Sequence, residues 1–112
     1  MLGFENLDVY QRALELVIQA SKLAEVFPWG QSCLADQMKR ASMSIVLNIA
    51  ESSGRMCNGD AKQHIAIARG SAMECAAILD ICKVLHLAED EQICTARTLL
   101  VRIVQMLSKM YK

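Results

Sequence analysis

Residues 37–55, QMKRASMSIVLNIAESSGR, decide the fold of this 112-residue chain. At about 100° per residue they form one helix with three different surfaces. These are a core stripe (Leu34, Met38, Ala41, Ile45 and Ile49), a polar stripe (Gln37, Arg40, Ser44, Asn48 and Glu51) and an outer apolar surface (Met43, Val46, Leu47 and Ala50). Little of this helix is suited to water. We therefore expect it to contact protein on most sides, with the rest of the chain organised around it.

Turn and cap residues divide the chain into four helices. Phe27-Pro28 ends the first, because the residue before a proline is pushed out of the helical region. Ser32, Asp60 and Asp90 are expected N-caps, and Gly54 ends the second helix. The predicted helices are Leu7 to Val26, the residue after Ser32 to Ser53, the residue after Asp60 to Leu87, and the residue after Asp90 to near the C-terminus. This pattern predicts an all-α, antiparallel, up-down-up-down four-helix bundle, a single domain over residues 1–112.

The composition limits the function classes. Hydrophobic residues make up 54% and aromatics 4% of the chain, which suits helix-on-helix packing. The formal net charge is zero, so no strong basic field gathers nucleic acid. A neutral, apolar-rich chain instead predicts surface hidden by self-association. Five cysteines without a CxxC motif, and no apolar run of the roughly 18 residues a membrane span needs, predict a cytoplasmic protein that does not enter membranes.

Polar residues on the second and third helices predict a buried or half-buried polar layer between them. Its expected members are Arg40, Ser44, Asn48, Glu51, Ser71 and Glu74, with an Arg40–Glu74 ion pair. The favoured interpretation is that the layer fixes helix register, as single polar core residues do. The alternative is an active site, but the residues supply no nucleophile, no base poised near neutral pH and no oxyanion hole. We predict no catalytic residues.

Other residues are weighed as metal, nucleic-acid or interface sites. Cys82 and His86 are four apart, yet no second ligand pair accompanies them, so we predict no metal and no cofactor. The candidate nucleic-acid contacts are Arg55, Arg97, Arg102 and Lys109. One bundle cannot bury every apolar residue, and a homo-oligomer is the economical explanation. The candidate interface residues are Met43, Val46, Leu47 and Ala50.

The chain resembles the four-helix bundle family of 23S rRNA intervening-sequence proteins. The resemblance covers nearly the whole chain, and its most specific segment is SI-x-x-NIAE followed by A-x-GS-x-x-E. The matching residues are Phe4-x-x-Leu7-x-Val9-Tyr10-Gln11-x-Ala13, Phe27-Pro28, Leu34-x-x-Gln37-x-Lys39-Arg40-Ala41-x-x-Ser44-Ile45-x-x-Asn48-Ile49-Ala50-Glu51, Gly54-Arg55 and Ile67-Ala68-Arg69-Gly70-Ser71-x-x-Glu74. Two positions depart from the family pattern: Trp29-Gly30-Gln31 replaces acidic residues, and Ser52 stands where relatives often have glycine.

This resemblance implies a cytosolic bacterial protein that forms a ring-shaped homopentamer. More distant relatives accompany the reverse transcriptases of diversity-generating retroelements and bind nucleic acid there. No enzymatic activity is established for the family. We therefore expect a non-catalytic, homopentameric bundle that contacts RNA or a ribonucleoprotein. Two alternatives remain at this point: an oligomer with a small-molecule site at its subunit junctions, and an enzyme that uses the layer of Arg40, Asn48, Glu51 and Glu74.

Overall fold

Four long helices dominate the structure, a computed structural model that describes residues 2–111. They are α1 (Asp8–Val26), α2 (Ser32–Ser53), α3 (Asn58–Val84) and α4 (Asp90–Tyr111), preceded by a short 3-10 helix at Gly3–Asn6. No strand occurs among the described residues. The predicted all-α four-helix bundle is confirmed.

The helices form a closed square. Each packs against the helices before and after it, and α1 packs against α4. Connections of only a few residues reverse the chain each time, so neighbouring helices are antiparallel. The bundle measures 44 × 26 × 22 Å, with its long side along the helix axes.

The core is aliphatic. Small side chains at 0–1% exposure (Ala13, Ala20, Ala68, Ala72 and Ala96) alternate with Leu, Ile and Met, which lets the helices approach closely. The predicted core stripe of α2 is confirmed: Met38, Ala41, Ile45 and Ile49 are all buried, while Leu34 packs on the edge of the core. The aromatic residues lie at the periphery, where the rings of Phe4 and Tyr10 pack edge-on with their centroids 5.1 Å apart.

Both ends of the third helix differ from the prediction by a few residues, and α4 begins at Asp90 itself rather than after it. The third helix begins at Asn58 rather than after Asp60, so Asp60 lies in the first turn, where its charge still complements the helix dipole. That helix ends at Val84 rather than Leu87, because His86 takes a left-handed conformation (φ 56°). This turn lets the amide of Leu87 donate to the Cys82 carbonyl and returns the Leu87 side chain to the core.

The α1–α2 connection is an exposed turn. Phe27 is extended, as expected before Pro28, and Gly30 takes φ 105°, which only glycine adopts without strain. Between them Trp29, the single tryptophan of the chain, is fully exposed. Ser32 is the first residue of α2 rather than its N-cap, which is Gln31.

Candidate functional site

The polar layer between α2 and α3 consists of neutral side chains. The hydroxyls of Ser44 and Ser71 are 2.8 Å apart across the two helices. The Asn48 amide nitrogen donates to the Ser44 carbonyl at 2.9 Å and to the Ser44 hydroxyl at 3.2 Å. All three side chains are half-buried. These contacts set the antiparallel register of α2 against α3.

His64 completes the layer, and it was absent from the predicted set. Its Nδ1 lies 2.9 Å from the Asn48 side-chain oxygen. The Ser44 carbonyl needs a donor, so the Asn48 side-chain atom that faces it is the nitrogen and the atom that faces His64 is the oxygen. An amide oxygen can only accept a hydrogen bond, so Nδ1 of His64 carries a proton. The available signal was spacing, since His64 precedes Ser71 by seven residues and so lies on the same side of the helix.

The charged residues predicted for the layer lie outside it. Arg40 and Glu74 are both exposed, and none of the ion pairs among residues 2–111 joins them, so the predicted pair is not formed. Glu51 pairs instead with Arg55 at 2.8 Å on the surface. The physical reason is desolvation: an ion pair inside the contact would lose its hydration, whereas hydroxyl and amide groups cost less to bury.

Ser52 adds a further link at the end of α2. Its hydroxyl donates to the Ala61 carbonyl at 2.9 Å, near the start of α3. This is the position at which the family resemblance led us to expect glycine. The departure therefore ties the ends of the two helices together and leaves the course of α2 intact, since Gly54 still follows its last turn.

The layer is poorly arranged for chemistry. The imidazole bonds to an amide rather than to either serine hydroxyl, so no serine is activated by an adjacent base. None of the five cavities described across residues 2–111 is lined by Ser44, Asn48, His64 or Ser71. The arrangement is suited to fixing how the helices meet.

The cysteines fall into two classes. Cys75 and Cys82 are buried, whereas Cys33, Cys57 and Cys94 are exposed free thiols. Burial, and then the neighbouring Glu74 carboxylate, raises the pKa of Cys75 to about 12, and burial also raises the pKa of Cys82. Cys82 and His86 do not share a helix face, because the helix ends at Val84. Across the described residues, no three His, Cys, Asp or Glu side chains form a group that would hold a metal ion.

Most of the residues predicted to contact nucleic acid form ion pairs with carboxylates. Arg55 pairs with Glu51 at 2.8 Å, Arg97 with Asp80 at 3.0 Å, and Arg102 with Asp8 at 3.0 Å. Each arginine therefore has a carboxylate beside it, whose negative charge repels a phosphate. Lys109 is exposed and takes part in none of the ion pairs among the described residues.

The match to a family decides where this bundle belongs. The sequence pattern of the family described as 23S rRNA-intervening sequence protein matches residues 5–109. The chain belongs to this family. No curated protein matches the sequence. The 23S rRNA-intervening sequence family and its structural neighbour described below are of unknown function.

A solved structure of the same fold comes from Bacteroides thetaiotaomicron. It is described as a protein with unknown function from the S23 ribosomal protein family, and it shares 22% identity with this chain. The TM-score is 0.86, and the match covers 93% of this chain and 98% of that one. At this identity the likeness shows the shared fold alone.

In this member of the 23S rRNA-intervening sequence family, the four interface candidates divide into two pairs. Met43 and Leu47 are exposed, at 45% and 63%, while Val46 and Ala50 are half-buried and Val46 packs against the core. Ile67 of α3 is also exposed, at 45%, and the Ser44–Ser71 and Asn48–His64 contacts place it about level with Leu47 of the neighbouring helix. No helix within residues 2–111 combines the length and the apolar character needed to cross a bilayer.

Proposed function

We propose that this protein is a non-catalytic interaction module of the cytoplasm. It assembles into a homo-oligomer, a pentamer, and the assembly contacts RNA or a ribonucleoprotein. The observation that carries the proposal is the exposed apolar surface formed by Met43 and Leu47 of α2 and Ile67 of α3. The free thiols fit a reducing compartment.

Self-association explains this surface better than a soluble monomer does. Large apolar side chains that are exposed at the same level of two neighbouring helices indicate an interaction site. Arg40 and Glu74 are exposed on the same two helices, and neither belongs to an ion pair among residues 2–111. The surface therefore carries both charge signs beside apolar groups, so a second copy of the chain complements it.

The RNA contact rests on the family description and on the charge left after ion pairing. The family description names an intervening sequence of 23S rRNA. Several cations, among them Lys62, Arg69 and Lys109, belong to none of the ion pairs of the described chain. A net charge of zero means that any RNA contact must be local rather than driven by the field of the whole protein.

A small-molecule site at a subunit junction is the second candidate. A cavity of about 600 Å³ lies beside the apolar surface, and Leu47, Ala50, Glu51, Gly54 and Arg55 line it. Leu47 and Ala50 are themselves interface candidates, so a neighbouring subunit would close this cavity. The size is within the range of ligand pockets.

Solution mass tests the proposal. Light scattering of the wild-type chain is expected to give five chain masses. Leu47→Glu is expected to lower the mass toward that of one chain, because a carboxylate would be buried at the contact. Circular dichroism checks that the variant stays helical, as expected for a side chain that is 63% exposed in the protomer.

Val26→Glu is the matched control, since Val26 is also exposed but lies at the end of α1, away from this surface. It is expected to keep the wild-type mass. A monomeric wild-type protein at all concentrations would refute self-association. An unchanged mass for Leu47→Glu would move the contact to another surface.

A further inference from the structure

A shallow cavity of about 360 Å³ lies between α3 and the C-terminal end of α4. Ala66, Arg69, Gly70 and Met73 of α3 line it together with Tyr111 of α4. Of the five cavities described across residues 2–111, it alone has a cation and no carboxylate in its lining. This combination suits a ligand with an anionic group and an apolar, flat part.

The cation of this cavity is free to bind. Arg69 is exposed and takes part in none of the ion pairs formed within residues 2–111, in contrast to Arg55, Arg97 and Arg102. Lys62 precedes Arg69 by seven residues, which places it two turns away on the same side of α3. Guanidinium groups bind phosphates through charge-assisted, often paired hydrogen bonds.

The floor of the cavity is bare backbone. Gly70 lies in the middle of α3, where glycine destabilises a helix relative to alanine. Packing within the chain does not require it, because a Cβ at this position would meet nothing within 4 Å. A glycine here admits a group that approaches the helix backbone closely. Ala66 extends the small-residue floor beside it.

The walls suit a planar ring. The Tyr111 side chain is 47% exposed, and Met73 is exposed at 47% on the other helix. An exposed aromatic face stacks on nucleobases without regard to their sequence, and single strands offer bases that are free to stack. Arginine at the rim, an aromatic wall and a glycine floor together match one nucleotide.

We propose that this cavity binds a nucleotide of single-stranded RNA, with the base on the floor at Gly70 against the Tyr111 ring and the phosphate at Arg69. The inference rests on the RNA contact proposed above and assigns it a site. This site takes the place of the arginines predicted from the sequence, because Arg55, Arg97 and Arg102 each form an ion pair with a carboxylate.

Fluorescence anisotropy with a labelled single-stranded RNA of about 12 nucleotides tests the site. Tyr111→Ala and Gly70→Leu are expected to weaken binding about tenfold, the effect of losing one stacked base, without changing the salt dependence. Arg69→Gln is expected to weaken binding and to lower the slope of log affinity against log salt by about one. Gly70→Leu keeps every charge, and the Cβ of the new side chain meets no atom of the protomer within 4 Å.

Lys83→Gln is the matched control. Lys83 is exposed on α3 about four helical turns beyond Arg69, so the variant removes the same charge outside the cavity. It is expected to bind RNA as the wild type does.

The outcomes separate the site from the general proposal. If the wild-type protein binds no RNA at low salt, the RNA contact fails and the site with it. If it binds and Tyr111→Ala and Gly70→Leu bind equally well, the site is wrong while the RNA contact stands. If Gly70→Leu also lowers the mass measured by light scattering, the glycine serves a contact between copies and the nucleotide assignment is overturned.

Discussion

The α2/α3 and α1/α4 pairs are both antiparallel neighbours in one bundle, but different contacts hold them. Between α2 and α3, neutral groups of Ser44, Asn48, His64 and Ser71 form half-buried hydrogen bonds. Between α1 and α4, an ion pair of Asp8 and Arg102 forms at the surface, where both side chains are more than half exposed. A groove of about 590 Å³ opens beside it.

This difference follows from water. A hydrogen bond shielded from water is costly to break, because its partners are left unsatisfied in the interior. An exposed ion pair loses little when it breaks, since water and salt replace the partner. The α2/α3 contact therefore specifies register, and the α1/α4 contact tolerates change.

The largest expected difference between the two helix pairs is in how a cysteine of each affects the pH dependence of stability. Cys75, one turn beyond Ser71 on α3, is fully buried and has a pKa of about 12 instead of 9.0, while Cys94 lines the α1/α4 groove and is exposed. Above pH 9 the unfolded thiol releases its proton and the folded one retains it, so stability falls as the pH rises from about 9 to about 12. Urea unfolding should show a loss of about 1.4 kcal/mol per pH unit from this group.

Two alanine variants separate this effect from other groups that titrate in the same range. Cys75→Ala should show a shallower fall than the wild type, and Cys94→Ala should follow the wild type. Identical pH dependence in all three proteins would contradict a buried, neutral thiol at position 75.

Asn48→Ala should destabilise the protein by about 1–3 kcal/mol. The change leaves the His64 Nδ1 proton without its acceptor and the Ser44 carbonyl without a side-chain donor. Urea unfolding followed by circular dichroism measures the loss. In a double-mutant cycle, His64→Ala should cost less in the Asn48→Ala background than in the wild type.

Thr98→Ala is the control for a polar group of the α1/α4 pair, because the Thr98 hydroxyl bonds only the Cys94 carbonyl, on an exposed face. We expect a change within about 0.5 kcal/mol. Equal losses for Asn48→Ala and Thr98→Ala would break the distinction between the two helix pairs.

Arg102→Ala should destabilise the protein less than Asn48→Ala does, by at most about 1 kcal/mol, since the ion pair with Asp8 is exposed and screened. The loss should shrink further in high salt. Thermal unfolding at low and high salt measures both. A loss comparable with that of Asn48→Ala, unchanged by salt, would show that the α1/α4 contact is not screened by water.

The sequence predicted the features that depend on local pattern. The stripe from Met38 to Ile49 fixed which side of α2 faces the core, and Pro28 and Gly54 marked helix ends within a residue or two. Helix ends that lack a glycine were harder to predict. The third helix ends in a left-handed turn at His86, which has no distinctive sequence signal.

The partners of polar side chains depend on register, which periodicity does not give. Asn48 and Ser71 both take part in the layer, but a shift of about three turns along α3 decides whether Asn48 meets His64 or Glu74. Arginine partners are less predictable still. Arg97 and Arg102 bond to carboxylates on other helices, 17 and 94 residues away in sequence.

The exposed turn at Trp29 has a practical consequence for spectroscopy. The only indole of the chain is in water in the folded protomer and remains in water after unfolding. Its fluorescence emission therefore changes little when the core unfolds. The same indole becomes a local reporter for whatever covers the α1–α2 turn. A blue shift of its emission on raising the protein concentration would locate this turn at a contact between subunits, and a constant emission maximum would place the turn on the outside of the assembly.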